Sequence, residues 1–481
     1  PARLPNLRAI LGHFVFWRTW APNRRCFTWR KENGAVDVET KLEISRDDAV
    51  LIQPIVAARG SFYYLAAALL AFSALAFFAW VEQLRRGLGV TGLNVPVYWG
   101  VYITNFVFFI GISHAGTLIS AILRLCHAEW RRSITRAAEV ITVLVLFFGV
   151  GSIIMDLGRP DRALNVLRHP NFRSPLLWDV CSISVYLMAS TIYLYLPLIP
   201  DIAILRDRTG GASWFYRFLA AGWRGTEKQK RRLDRAIAVM AVLVIPIAVS
   251  VHTVVSWVFA MTVQPGWHSA IFGPYFVVGA IFSGIAALII AMALIRRIYF
   301  LQDYLKPIHF NHLGLLLMVM SLLWFYFTFA EYITTFYGGD PSHLTVFYSK
   351  LTGRYALAFW TMFVTCFVIP FPILAWRRTR TVAGTVVASI SVIIGMWLER
   401  LTIVVPTMSQ PRLPWATGLY SPTWIEIAIT LGFGATFILL YMLFTRFFPI
   451  ISIWEVQEGR EHSLPEVIER VRSYMPGTEP V

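Results

Sequence analysis

The stretch GVGSIIMDLGRPDRALNVL, residues 149–167, begins inside an apolar run and ends in a charged turn. The apolar run reaches back to residue 134, long enough to cross a hydrocarbon core about 30 Å thick as a helix. It stops on Asp156. Gly158 and Pro160 end the helix sharply, and Arg159, Arg162 and Asp161 follow at once. Two arginines beside two aspartates at a helix end make either a salt-bridged turn or the mouth of a polar cavity. Both readings are open from this segment alone.

The same pattern recurs along the chain. Ten apolar runs are long enough to span: 61–81, 97–123, 134–156, 175–199, 235–258, 270–295, 309–337, 355–376, 381–404 and 422–446. The 481 residues are 57% hydrophobic and 15% charged, with a mean hydropathy of +0.60. That is too little polar surface for a soluble domain. The expected fold is therefore an all-α polytopic membrane protein with ten transmembrane helices. Residues 1–60 are polar and basic, without the apolar core of a signal peptide, and read as a cytoplasmic N-terminal region. Residues 447–481 read as a short cytoplasmic tail, helical over 464–474.

Loop charge orients the helices. The loops 124–136, 200–235, 296–308 and 377–380 carry 19 Lys and Arg, and the alternate loops nine. Both termini are accordingly expected in the cytoplasm, with the 157–174 loop outside. The formal charge of +16 then reflects loops facing anionic lipid, not a nucleic acid partner.

Small residues at four-residue spacing, Gly116 with Ser120 and Gly279 with Ser283, mark helix contacts. A weak repeat is visible. The third and seventh runs end outward on Asp156 and Glu331; the fifth and ninth carry His252 and the Glu399–Arg400 pair near their outer ends. This suggests two four-helix bundles, 97–258 and 270–404. A first flanking helix and loop (61–96) and a last flanking helix (422–446) complete the organisation.

Ionisable groups inside a bilayer cost about 2.5–3.5 kcal/mol each near its centre, so the few present stand out. Asp156, Asp179 and His252 fall in the outer part of the first bundle, and His114 is expected deeper, at a different depth from His252. Glu139, Glu331, Glu399 and Arg400 complete the set. Adjacent on a helix, Glu399 and Arg400 point apart and need separate partners. Aromatics surround the outer groups: Tyr98, Trp99, Tyr102, Trp178, Tyr186 and Trp257. A flat amphipathic quinol suits such a site, stacking on aromatics and donating its hydroxyls to His and Asp. A proton-coupled transporter fits the same residues. The four cysteines, Cys26, Cys126, Cys181 and Cys366, are scattered and read as small buried hydrophobes, so no iron–sulfur, zinc or c-haem ligand set is expected. A b-type haem subunit needs paired histidines, and only His114 and His252 lie well inside the membrane.

The segments GISHAGTLISAILRL and MDLGRPDRALNVL resemble the NrfD/polysulfide reductase C family of membrane subunits, over about residues 97–404. Within it, the two extra helices and the long basic N-terminal region look most like the membrane subunits of alternative complex III. The resemblance implies menaquinol as bound substrate near the periplasmic face, with no haem or iron–sulfur cluster in this chain. It implies c-type haem subunits, an iron–sulfur cluster subunit and a homologous NrfD-like membrane subunit as partners, in a bacterial cytoplasmic membrane. Polysulfide-type relatives run electrons the other way, reducing quinone. Carried onto this sequence, the quinol-binding residues are His114, Asp156, Arg159, Asp179 and His252, with Arg159 orienting the Asp156 turn. The candidate proton path is Glu139, Glu331, Glu399 and Arg400.

Overall fold

A computed structural model describes residues 49–56, 60–126, 128–208, 214–410 and 418–459. Most of the N-terminal region, Cys26 and the expected 464–474 helix lie outside them. Within the described residues the chain is helical and has no strands. Ten helices are long and apolar enough to cross a membrane. They are α1 (Gly60–Arg86), α2 (Val101–Leu125), α3 (Thr135–Asp156), α4 (Pro175–Arg208), α5 (Glu227–Ala260), α6 (Phe272–Ile298), α7 (Pro307–Gly338), α8 (Ala356–Ala375), α9 (Val382–Ser409) and α10 (Trp424–Phe447).

Local chemistry sets the helix ends. Thr226 and Thr381 accept hydrogen bonds from Gln229 N and Gly384 N at the starts of α5 and α9. Thr423 and Glu426 form a capping box on α10. Proline opens α4 and α7, where its missing N–H costs nothing. Gly339, at φ 66°, closes α7.

Helices α2, α3, α4 and α5 pack in one group and α6, α7, α8 and α9 in another. The groups meet where α6 lies against α2 and α5, and where α9 lies against α2. Helices α1 and α10 pair with each other, and α10 also rests on α3 and α2. Both expected small-residue faces are close contacts. A Cβ on Gly116 would lie 2.0 Å from the Ala138 carbonyl oxygen of α3, and one on Gly279 would lie 2.6 Å from Arg400 of α9. Ten antiparallel crossings leave the segments before α1 and after α10 at the same end of the bundle.

The chain after α10 returns beneath α3 and α4. Asp201 accepts hydrogen bonds from the backbone of Ile453 (3.2 Å) and Trp454 (3.1 Å) and pairs with Arg136. Glu455, 2% exposed, pairs with Arg124 at 2.5 Å and Arg131 at 3.5 Å. Residues 449–459 thus form a strap, neutralising arginines that loop counting treats as free cytoplasmic charge.

Three expectations need correction here. Cys366 is buried, but Cys126, just past the end of α2, and Cys181, on α4, are exposed. Glu331 lies two turns inside the end of α7, whereas Asp156 is the last residue of α3, so the two are not equivalent helix ends. Glu399 and Arg400 do not point wholly apart but also pair with each other. The long Arg400 side chain curls back to place Nη1 2.9 Å from Glu399 Oε2.

Candidate functional site

The polar residues of the membrane region gather in four places. The first is at the end of the bundle where α1 and α3 finish and α2 and α10 begin. Gln83, 1% exposed, donates from Nε2 to the Met155 carbonyl at 2.7 Å and accepts from Tyr102 Oη at 2.5 Å. Glu426 accepts from Tyr420 Oη (2.6 Å) and from the backbone N–H of Gly92 (2.7 Å) and Thr423 (2.9 Å). Asp156 lies within electrostatic range of Glu426 and Tyr102. Its Oδ1 is buried without a hydrogen-bond partner.

The turn after Asp156 is locked differently from the sequence expectation. Gly158 adopts φ 62°, and a Cβ there would meet Leu88 Cγ at 2.8 Å. Arg159 turns away from Asp156 and forms a fork with Asp161 at 2.9–3.0 Å on the exposed surface. A two-residue spacing favours that local pair over a fold-back across the glycine. The Asp161 carboxyl is held below its usual range by this hydrogen bond from Arg159.

The second place is the seam between the two groups. His114 and His252 meet ring to ring, with centroids 3.9 Å apart at 74°. They therefore share one depth. Helix α5 begins at Glu227, eight residues before its apolar run, so depth counted from hydropathy misplaces the two against each other. Imidazoles in contact leave no plane between them for a porphyrin, so these two do not form an axial pair for haem b. His114 Nε2 lies 2.8 Å from the Ala248 carbonyl oxygen and Nδ1 3.3 Å from that of Ile110. Both nitrogens of His252 are buried and unpartnered.

Across the seam, Arg400 lies within electrostatic range of both histidines, its guanidinium 4.9 Å over Phe276. Trp324 Nε1 donates to Glu399 Oε1 at 3.2 Å. Arg400 Nη1 and Nη2 and Glu399 Oε2 have no aligned hydrogen bond. Unmade hydrogen bonds cost about 1–3 kcal/mol each in a buried site, so clustered orphans mark a place for water or ligand.

The third place is the interior of α2–α5. Asp179, 5% exposed, carries a buried Oδ1 without a partner. Tyr186 and Tyr193 follow on α4 at seven-residue steps. Tyr186 Oη lies 2.6 Å from Thr117 Oγ1, and its ring centroid lies 5.5 Å from that of His114. Tyr193 and Glu139 both meet Ser120, at 3.2 and 2.7 Å. This polar stripe runs inward to Arg124 and the strap.

The fourth is a cavity of about 50 Å³ within α6–α9, lined by Glu331, Glu399, Tyr275, Tyr332, His343 and Lys350 among others. This is room for about three waters. Its lid is the short helix Pro341–Leu351 between α7 and α8, which brings His343 and Lys350 to the cavity wall. Burial pushes Lys350 down to about 8, against the pull of Glu331 and Glu399. Ser269 donates to Glu331 at 2.5 Å.

His114 and His252 are thus brought together with Glu399 and Arg400. No hydrogen bond or ion pair among the described residues joins Asp156, Asp179 and His252 directly. Of the flagged aromatics, Tyr102 and Tyr186 line polar clusters and Trp99 stacks on Trp267, while Tyr98 and Trp257 face outward. Trp178 donates to the Phe172 carbonyl near the surface. Sequence reasoning passed over Gln83, Glu426 and Lys350. The first two are signalled by polar side chains within long apolar helices, the last by its i+7 spacing from His343. Among the described residues no three His, Cys, Asp or Glu converge as a metal site.

Comparison with known proteins fits this architecture. Over 397 residues the chain is 27% identical to the putative dimethyl sulfoxide reductase membrane subunit of Halobacterium salinarum, covering 77% of this chain and 88% of that protein. It is 23% identical over 406 residues to a subunit of the selenate reductase of Mesobacillus selenatarsenatis, covering 80% and 94%. It is 23% identical over 420 residues to the Hdr-like menaquinol oxidoreductase integral membrane subunit of Archaeoglobus fulgidus, covering 82% and 95%. The family model described as Polysulphide reductase, NrfD matches residues 89–412, which takes in α2 to α9, and the chain belongs to that family.

Proposed function

We propose that this chain is the quinol-binding membrane subunit of a multi-subunit oxidoreductase in a bacterial cytoplasmic membrane, of the ActC type of alternative complex III. The observation that carries the reading is the set of buried polar atoms with no protein partner: Asp156 Oδ1, Asp179 Oδ1 and both nitrogens of His252. They lie on three helices of one group. They match the needs of a dihydroxy-aromatic substrate, whose hydroxyls donate and whose ring is apolar. The similarity to a menaquinol oxidoreductase subunit supports menaquinol in particular.

Oxidation of one quinol releases two protons and two electrons. Asp156 is the outer proton acceptor, at the mouth beside Tyr102. Asp179, near the start of α4, is a second acceptor between the two levels, and His252 accepts at the deeper end, where its ring packs against His114. Arg159, forked with Asp161, sits on the exposed rim of the turn after Asp156. The electrons leave to a neighbouring iron–sulfur subunit at the outer face, and from there to c-type haem subunits; the assembly is completed by a homologous NrfD-like membrane subunit. Glu399 and Arg400 connect the histidine pair with the polar cavity at Glu331, and Glu139 continues the inward stripe. These four form a proton path in this reading.

The test is quinol:acceptor turnover of the purified complex with Asp156→Asn and His252→Ala, after assembly is confirmed. Turnover should fall in both by about 10²-fold or more, the usual weight of a positioned proton acceptor. Full activity in both variants would remove the quinol from this end. Isolation of the chain without iron–sulfur or haem subunits would favour a transporter instead.

A further inference from the structure

The end of the bundle that carries the basic loops treats its arginines in two ways. Arg124, Arg131 and Arg136 are matched by carboxylates of the chain itself, Glu455 and Asp201. A second basic cluster has no such match. Between the starts of α7 and α9 lies a groove of about 510 Å³, walled by Ile308 and Asn311 on one side and by Arg377, Arg380 and Val382 on the other. None of its lining residues is acidic. Arg377 and Arg380 form no ion pair among the described residues.

Arg380 is fixed in the groove. Its Nε donates to Asn311 Oδ1 at 2.8 Å and its Nη1 to the Leu374 carbonyl at 2.9 Å. Its stem packs on Gly314, where a Cβ would come within 3.5 Å of Arg380 Cγ and Cδ. The turn beneath is rigid. Thr379 Oγ1 donates to the Ile373 carbonyl at 2.8 Å, and Thr381 caps α9. A guanidinium held by two of its nitrogens presents its remaining edge in one direction, which suits a tetrahedral oxyanion.

The surroundings are amphipathic. Ile308 is 49% exposed on the groove wall, and Trp376, 68% exposed, sits one residue before Arg377. An exposed tryptophan at a helix end beside arginines marks the headgroup level of a bilayer. A ligand with a phosphate and an apolar tail meets both features, and basic grooves between helix ends are where anionic headgroups settle.

We propose that the groove between α7 and α9 binds the phosphate of an anionic phospholipid, on Arg380 and Arg377, with an acyl chain along Ile308 and Val382. Free phosphate shares the headgroup chemistry but gains nothing from the apolar wall.

The experiment uses the purified complex, delipidated in detergent. Phosphatidylglycerol, phosphatidylcholine and inorganic phosphate are titrated separately, with thermal unfolding and retained lipid phosphorus as readouts. Phosphatidylglycerol should raise the unfolding midpoint saturably, and the other two should not. Arg377→Gln with Arg380→Gln should weaken that binding about 10- to 30-fold, at about 1 kcal/mol per basic residue. Arg380→Lys keeps the charge but not the fork, and should lose part of the effect while folding normally. Arg231→Gln with Arg232→Gln, in the other basic groove where Glu227 supplies a carboxylate, should lose none. Wild-type phosphatidylglycerol binding in the Arg377/Arg380 variant, equal loss in the Arg231/Arg232 control, or an equal shift from inorganic phosphate would each overturn the proposal.

Discussion

The imidazole rings of His114 and His252 touch edge to face, 3.9 Å between centroids, where α2 and α5 meet α6 and α9. The two rings do different work. His114 spans α2 and α5 through its contact with the Ala248 carbonyl, whereas His252 offers two nitrogens to which the protein gives nothing.

Stability and activity should therefore separate at this pair. His114→Leu removes an interhelical hydrogen bond and should cost about 1 kcal/mol or somewhat more, since the Ala248 carbonyl loses its partner. His252→Phe keeps an aromatic ring, though a larger one, and removes no hydrogen bond, so it should move thermal unfolding by its packing alone while turnover is lost. Unfolding and turnover measured on the same preparations check both. A His252→Phe enzyme with full turnover would leave His252 a packing residue.

The turn after α3 gives a second separation. Gly158→Ala forces a side chain into the left-handed region and against Leu88, and should cost about 1–2 kcal/mol or more. Asp156→Asn preserves the shape of the turn, so it should unfold like the wild type and fail only in turnover. Arg159→Ala removes only a surface fork with Asp161 and should leave unfolding unchanged. If Arg159→Ala lowers turnover as far as Asp156→Asn, the arginine reaches the substrate.

Lys350 predicts a pH dependence outside the catalytic residues. It faces Glu331 of α7 and Glu399 of α9, with His343 on its own helix. Its folded value of about 8 lies below the usual 10.5, chiefly from burial. Between those values the unfolded chain binds more protons than the folded one, so the Lys350 contribution makes stability rise with pH from about 8 to 10.5. Lys350→Met should flatten that rise and raise stability at neutral pH. Chemical unfolding from pH 7.5 to 10.5 reads it; parallel curves for variant and wild type would place the ammonium in bulk water.

The helices were legible in the sequence because length and hydropathy answer to one solvent, the bilayer. The run 134–156 became Thr135–Asp156, and 355–376 became Ala356–Ala375. Where the ends differ, charge does not stop a helix that has left the hydrocarbon: α5 starts at Glu227 and runs through Lys228, Lys230, Arg231 and Arg232 before its apolar stretch. The site was legible as a set of residue types, not as a set of neighbours. Depth along one helix does not fix the facing helix: it sets His252 level with Asp156 and Asp179 but does not reveal that its ring lies on His114. The stripe Asp179, Tyr186, Tyr193 was readable from its seven-residue period. The cavity lid was not, because an amphipathic eleven-residue helix outside the membrane resembles any loop helix.

The strap after α10 carries the last prediction. Burial alone would raise the Glu455 carboxyl, but Arg124 and Arg131 outweigh it and hold the group below its usual range. A carboxyl depressed on folding contributes stability above its unfolded pKa and loses it as the pH falls through the folded value. Glu455→Gln leaves two guanidiniums near a neutral amide in a buried place, and breaking such a pair costs about 3–5 kcal/mol. The cost should appear first as local release of residues 449–459, since the helices above hold one another by other contacts. Limited proteolysis from the basic-loop side should then cut the variant between Pro449 and Gly459 while the wild type resists, and hydrogen exchange at Ile453 and Trp454, bonded to Asp201, should accelerate. Lowering the pH below the usual carboxylate range, through the depressed folded value of Glu455, should reproduce the release in the wild type and add little in the variant. A strap that stays protected in Glu455→Gln would mean that Asp201 and the Trp454 indole, donating to the Pro197 carbonyl at 2.8 Å, suffice to hold it.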